Sequence, residues 1–141
     1  MLNHQEENGS FKDSIFITSL TISCLNQENS EIKDKASNWL LSKKDKDFVF
    51  DSNLGINFYA LIALFKHNPS IIDGSVLAKI LKTLISAEIK EGGPYKDDNG
   101  IDLGTNAIIA YFLSLQDVDL PNMQDFFSDC IKNKNFESKL I

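Results

Sequence analysis

The chain has 141 residues, of which 43% are hydrophobic and 24% are charged, and its formal net charge is −6. This length suits one domain over 1–141, and the hydrophobic fraction is enough for a core. Because no Lys/Arg cluster stands clear of acidic residues, we expect no nucleic-acid partner, and no run approaches the roughly 20 apolar residues of a membrane span.

The N-terminus and the cysteines indicate the compartment. No basic stretch followed by an apolar one opens the chain, so we expect no secretory signal there and a flexible tail over 1–8. Cys24 and Cys130 stand in helical apolar patterns without Cys-x-x-Cys spacing, which favours thiols in the core over a zinc site or a disulfide. We therefore expect a cytoplasmic protein with no metal site and no cofactor.

Hydrophobic periodicity predicts six helices along the chain. Either Asp13 or Ser14 can cap the first, the residues at 51–53 (Asp-Ser-Asn) cap the third, and Pro121 suits the first turn of the sixth. The predicted helices are 13–25, 30–42, 54–67, 70–89, 102–115 and a sixth from Pro121.

The odd and even helices differ in their patterns. The third and fifth are apolar nearly all round at 58–65 and 107–113, which predicts burial on most sides. The fourth carries one apolar stripe, which includes Ile80 and Leu84, as expected of a covering helix. The sequence therefore predicts an all-α fold of three helical hairpins, with buried helices alternating with covers.

A repeated spacing accompanies the three hairpins. In each unit an aromatic residue precedes a polar residue, and a leucine follows the polar residue by seven positions. The three sets are Phe11-Thr18-Leu25, Phe50-Asn57-Leu64 and Tyr95-Asn106-Leu113, the last with a longer loop at 96–100. The polar residues could face a ligand, or they could hydrogen-bond a neighbouring loop and fix hairpin packing. Their recurrence in every unit favours the structural role.

Three segments resemble the prenyltransferase and squalene-cyclase repeat, the building block of the α/α-toroid. They run from Trp39-Leu40-Leu41 to Asn57, from Leu84-Ile85 through Gly92-Gly93-Pro94-Tyr95 to Thr105-Asn106-Ala107, and from Gly9 to Leu20. The resemblance implies half of a toroid, with inner helices around a ligand-lined cavity. Full toroids have about twice as many hairpins, so two copies closing a ring are expected, since end helices would otherwise expose apolar flanks.

The resemblance does not carry over a catalytic site. The segment 96–99 (Lys-Asp-Asp-Asn) lacks the first Asp of the class II cyclase motif Asp-x-Asp-Asp. Ile101 stands where class I synthases have the last Asp of Asp-Asp-x-x-Asp. Neither His4 nor His67 is in the context of the zinc ligands of protein prenyltransferases. We therefore assign no catalytic or metal-binding residue, and whether the protein is an enzyme stays open.

Aromatic and polar residues at the odd helices are the candidate ligand-binding residues. Aromatic faces could line an isoprenoid-sized pocket, although core filling is the commoner role. Acids at the helix starts could form a binding rim, although capping is the commoner role. The candidates are Asn57, Phe58, Tyr59, Tyr95, Asp102, Asn106 and Tyr111.

The sequence favours a non-catalytic, toroid-like domain that binds an apolar small molecule or a protein partner. One alternative is a cyclase or prenyl-transfer enzyme whose site is assembled across a dimer from Asp97, Asp98 and Asp102. Another is an α-solenoid interaction module whose hairpins stack without closing into a ring.

Overall fold

A computed structural model describes residues 4–138 of the chain. Its regular structure in this range consists of α1 (Ile15–Cys24), α2 (Ser30–Lys43), α3 (Leu54–His67), α4 (Gly74–Ala87), β1 (Lys96–Asp97), β2 (Gly100–Ile101), α5 (Leu103–Leu115) and α6 (Pro121–Lys132). The two short strands pair in antiparallel fashion. For the described residues the predicted all-α fold with six helices is therefore confirmed.

The odd helices α1, α3 and α5 form an inner layer in which α3 contacts both neighbours. Phe16 of α1 meets Tyr59 of α3 edge to face at 5.2 Å between ring centroids. Phe58 of α3 meets Phe112 of α5 at 5.4 Å. The even helices are the outer helices: α2 packs on α1 and α3, α6 packs on α5, and α4 buries Ile80 and other residues of its apolar stripe.

Charge separates the two layers. The three inner helices contain no Asp or Glu, and their basic residues are Lys66 and His67 at the end of α3. Burying an unpaired charge is costly, so helices that pack on both sides must be almost free of charged side chains. The acids and bases of the helical regions therefore lie mostly on the outer helices, where water solvates them.

Polar side chains cap the start of each inner helix. Ser14 Oγ accepts a hydrogen bond from the Ile17 N–H at 3.2 Å, which selects Ser14 over Asp13 as the cap of α1. Asn53 caps α3 through the Ile56 N–H at 3.0 Å. Asp102 caps α5 in the same way. Each cap supplies an acceptor to a first-turn N–H that has no partner within its own helix.

The fourth helix begins later than the sequence predicted. Residues Pro69–Ile71 form a separate 3₁₀ turn, and α4 starts at Gly74 rather than near 70. Asp73 has an extended backbone, and its Oδ1 accepts the Val76 N–H at 2.9 Å. The prediction was wrong here because a local cap competes with continuation of the helix.

The segment between α4 and α5 is more ordered than a loop. Helix α4 ends at Ala87, two residues before the predicted end, and the Ile89 N–H then donates to the Pro94 carbonyl at 2.9 Å. The segment 96–100, predicted as a loop, contributes to the β1–β2 hairpin. Gly100 has φ +90°, a conformation that suits the tight turn because glycine has no Cβ.

The N-terminal segment is attached to α2. Residues 1–3 of the predicted tail lie outside the described residues. Gln5 Nε2 donates to the carbonyls of Gly9 and Ile32 at 2.9 and 3.0 Å. Gly9 has φ +95°, and a Cβ at this position would overlap the Lys35 carbonyl. This close approach requires glycine.

The cysteines differ in exposure. Both are free, and Cys130 is buried on α6. Cys24 is exposed, so the prediction that it lies in the core is wrong. It is the last residue of α1, where the chain leaves the inner layer.

One hydrogen bond recurs at the entrance to each inner helix, and we call it the loop–helix link. A buried backbone N–H of the preceding aromatic residue donates to the polar side chain inside the helix. The three links join Phe11 to Thr18 at 2.9 Å, Phe50 to Asn57 at 2.7 Å and Tyr95 to Asn106 at 2.8 Å. Because buried N–H groups need acceptors, one polar side chain per unit allows the loop to enter the core.

Replacing the acceptor of a loop–helix link should destabilise the protein. The near-isosteric change Thr18→Val leaves the buried Phe11 N–H unpaired, which should cost about 1–3 kcal/mol in free energy of unfolding, measured with urea. The control is Thr83→Val on α4, where the hydroxyl donates to the Lys79 carbonyl of its own helix and the loss should stay below about 0.5 kcal/mol. Equal losses in the two variants would contradict the structural role of the link.

Candidate functional site

No helix of the described residues 4–138 covers one face of the inner helices, and a groove of about 340 Å³ runs along this face. We call it the inner groove. Its side chains follow helical spacing, so each helix presents one face to it. The lining residues are Leu20 and Ser23 of α1, Tyr59, Ile62 and Lys66 of α3, and Ala107, Ile108 and Tyr111 of α5.

The wall of the inner groove is mainly apolar and aromatic. Tyr111 is 45% exposed, which is unusual for a large aromatic side chain on a helix of the inner layer. Tyr59 is half-buried, held from one side by Phe16. Apolar surface rimmed by a few polar groups is typical of a place where a ligand or partner binds.

Among residues 4–138, Lys66 is the one charged residue that lines the inner groove. Its Nζ lies 6.0 Å from the centroid of the Tyr111 ring, close enough for a weak cation–π attraction. The neighbouring His67 points elsewhere, and its Nε2 lies 2.8 Å from Asp34 Oδ1 of α2. This contact joins α3 to α2.

The structure brings two of the predicted ligand-binding residues together. Tyr59 and Tyr111 stand on neighbouring helices and both line the inner groove. Phe58, next to Tyr59 in sequence, does not line the inner groove and is 0% exposed, packed against Phe112. Adjacent helical residues point about 100° apart, so of Phe58 and Tyr59 it is Tyr59 that lines the inner groove.

Three other predicted residues belong to the loop–helix links. Asn57 and Asn106 accept the N–H groups of Phe50 and Tyr95, and Asn106 Nδ2 also donates to the Tyr95 carbonyl at 2.9 Å. Tyr95 itself is 3% exposed. The side-chain amides of both asparagines are thus engaged with the backbone of the hairpin loops.

Two of the three predicted acidic residues, Asp97 and Asp102, accept hydrogen bonds at helix starts. Asp102 is buried, and its Oδ2 accepts from the Thr105 N–H at 2.8 Å and from the Ser138 hydroxyl at 2.9 Å. Asp97 Oδ2 accepts the N–H of Leu54, the first residue of α3, at 3.0 Å. Asp102 also lines a second cavity of about 570 Å³, one wall of which is the segment 135–138 at the end of the described chain.

Sequence reasoning missed six residues of the inner groove, which are Leu20, Ser23, Ile62, Lys66, Ala107 and Ile108. Ile62 and Lys66 follow Tyr59 by three and seven positions, and Ile108 precedes Tyr111 by three. This spacing marks one helical face and could have grouped them around the two tyrosines. The spacing alone does not show which face of each helix remains uncovered, because these helices are apolar on nearly all sides.

Grouped metal ligands and long apolar helices are both missing from residues 4–138. Within that range no three His, Cys, Asp or Glu side chains are grouped so that they could hold a metal ion. None of the helices described there is both long and apolar enough to cross a bilayer.

Comparisons with protein-family models, with curated proteins and with solved structures find no match to this chain. The resemblance to the prenyltransferase and squalene-cyclase repeat therefore stays a prediction from sequence. Any functional inference has to start from the inner groove and its side chains.

The buried phenol of Tyr95 should make stability depend on pH in alkaline solution. Burial raises the pKa of Tyr95 above its usual value of 10.0, and the Glu88 carboxylate adds to the effect. The folded state disfavours the Tyr95 phenolate. The contribution of the neutral Tyr95 phenol to the free energy of unfolding is therefore fully present below about pH 10 and is lost as pH rises through the folded-state pKa. Urea unfolding between about pH 8 and 11.5 should show a shallower decline for Tyr95→Phe than for the wild type.

The control is Tyr111→Phe, which removes the hydroxyl of an exposed tyrosine and shows the effect of losing a tyrosine that is not buried. If Tyr95→Phe loses stability with pH as steeply as the wild type does, the buried phenol is not the cause.

Proposed function

We propose that the chain is a non-catalytic binding domain, built like part of an α/α-toroid, whose inner groove takes an apolar small molecule. The observation that carries the proposal is the uncovered apolar face of the inner layer. There Tyr59, Ile62, Ile108 and Tyr111 line a groove of about 340 Å³ formed entirely by inner helices. This volume is at the lower end of the roughly 300–1,000 Å³ range of small-molecule sites.

The energetics of the inner groove support a ligand. Apolar surface in contact with water is unfavourable, at roughly 25 cal/mol per Å², and a bound apolar molecule removes it. The aromatic rings add rigid contact area at a small cost in side-chain entropy. The free cysteines agree with the cytoplasmic location that we propose, since a reducing compartment preserves thiols.

The acids of the enzyme alternative favour a structural role. Asp97 and Asp102 would supply acids to a site assembled across a dimer, and both accept backbone N–H groups at helix starts. Each of these two carboxylates therefore already serves to stabilise the start of a helix. The interaction-module alternative needs a binding face too, and the groove suits a compact ligand better than a long helix.

Shortening an exposed aromatic side chain of the inner groove should weaken apolar binding. N-phenyl-1-naphthylamine, a neutral fluorophore, should bind the wild type saturably, and Tyr111→Ser should lower its affinity about five- to tenfold, roughly 1–1.4 kcal/mol. The control is Ile131→Ser on α6, which removes an apolar side chain that is 64% exposed elsewhere on the surface.

The proposal fails if the wild type gives no saturable fluorescence increase, or if Ile131→Ser weakens the fluorophore as much as Tyr111→Ser does. Turnover of a prenyl diphosphate by the purified protein would replace it with the enzyme alternative.

The ring that the toroid resemblance implies is part of the proposal and has its own test. Ile101 and Phe136 beside the last hairpin are 48% and 62% exposed, as expected of an edge that another copy covers. Native mass spectrometry at micromolar concentration should show a dimer. A monomer over the whole concentration range would remove the closed ring and leave the inner groove as an open surface, as in a solenoid.

A further inference from the structure

The inner groove combines an apolar wall with a single positive charge. The chain as a whole carries a formal net charge of −6, yet the charge lining this groove is Lys66. Among residues 4–138 no carboxylate lies within ion-pairing distance of its Nζ, whereas His67 beside it is paired with Asp34. An ammonium group above neutral side chains attracts an anion and offers it up to three hydrogen-bond donors.

The number of positively charged side chains in the inner groove limits the charge of the anion that the groove can bind. With one lysine and two phenol groups, the inner groove can neutralise one negative charge. A diphosphate or a phosphate monoester would bring further negative charges to a protein that is already acidic, and no second cation from the described part of the chain lines the groove to balance them. A carboxylate carries one charge and matches a single lysine.

The wall of the inner groove suits an alkyl chain better than a peptide. Its surface consists of side chains on three helices, whose backbone groups bond within the helices. A peptide brings one N–H and one C=O per residue, and these need partners. Of the few polar side chains present, Ser23 already donates to the Ser19 carbonyl at 3.0 Å. An alkyl chain has no such groups to satisfy.

The dimensions also agree. Lys66 and Tyr59 lie two turns apart on α3, which separates them by about 10 Å along the helix axis. Ile62 lies between them on the same face. A medium-length chain can thus run from the ammonium group to the Tyr59 ring.

We propose that the inner groove binds a free medium-chain alkyl carboxylate, with the carboxylate paired to Lys66 Nζ and the chain lying over Ile62 towards Tyr59. This inference deepens the proposed function and rests on it, because it presumes that the groove takes an apolar ligand. It adds that the headgroup of the ligand is negatively charged and that Lys66 is the residue that binds it.

The test is isothermal titration of the whole chain at neutral pH and low salt with three ligands of equal chain length. These are decanoate, 1-decanol and decyltrimethylammonium, all below their micellar concentrations. Decanoate should bind the wild type more tightly than the other two, and added salt should reduce its advantage.

A set of lysine variants locates the effect. Lys66→Met keeps the apolar stem and removes the charge, so it should weaken decanoate about three- to fivefold and leave 1-decanol unchanged. Lys66→Arg should retain most of the decanoate affinity. Lys82→Met, on the exposed side of α4, is the matched control and should change neither ligand.

The outcomes separate the two levels of the proposal. If decanoate and 1-decanol bind equally well, if the cationic ligand binds best, or if Lys66→Met has no effect, the carboxylate inference is wrong although the inner groove still binds apolar ligands. If none of the three ligands binds, both this inference and the proposed function are wrong.

Discussion

The structure depends on one constraint, which is that the backbone must enter the core just before each inner helix. At that point a buried N–H loses its water partner, and leaving it unpaired would cost about 1–3 kcal/mol. The chain solves this three times with a loop–helix link, from Phe11 to Thr18, Phe50 to Asn57 and Tyr95 to Asn106. In each link the aromatic side chain is buried in the core, and the hydrogen bond holds the loop against the beginning of its helix.

A further hydrogen bond connects neighbouring units. Asp97, in the hairpin before α5, accepts the N–H of Leu54 at the start of α3, 43 residues earlier in the chain. One hairpin therefore helps to cap the inner helix of the preceding one. Repeated local solutions, joined by a few contacts between neighbours, are the way in which repeat proteins build an extended layer.

The composition of the inner layer connects this architecture with the proposed function. Helices that pack on both sides cannot carry many charges, so α1, α3 and α5 are apolar also on the face that no helix covers. That face forms the inner groove. Lys66 lies at the end of the groove, and the other side chains that line the groove are neutral. The layer that stabilises the fold thus also creates an apolar surface with one defined charge.

The sequence by itself determined the features that depend on neighbours in the chain. The six helices, the start of α6 at Pro121 and the spacing of the loop–helix links follow from hydrophobic periodicity and capping, which act within a few residues. The break before α4 was missed although it is also local, because the Asp73 cap competes there with a continuous apolar stripe.

Tertiary structure decided the rest. Tyr59 and Phe58 are adjacent and similarly apolar, yet one lines the inner groove and the other is sealed against Phe112. The contact from Asp97 to Leu54 and that from His67 to Asp34 each join residues more than 30 positions apart. These contacts depend on which helices lie next to one another. The sequence pattern of a helix that is apolar on nearly every side does not contain this information.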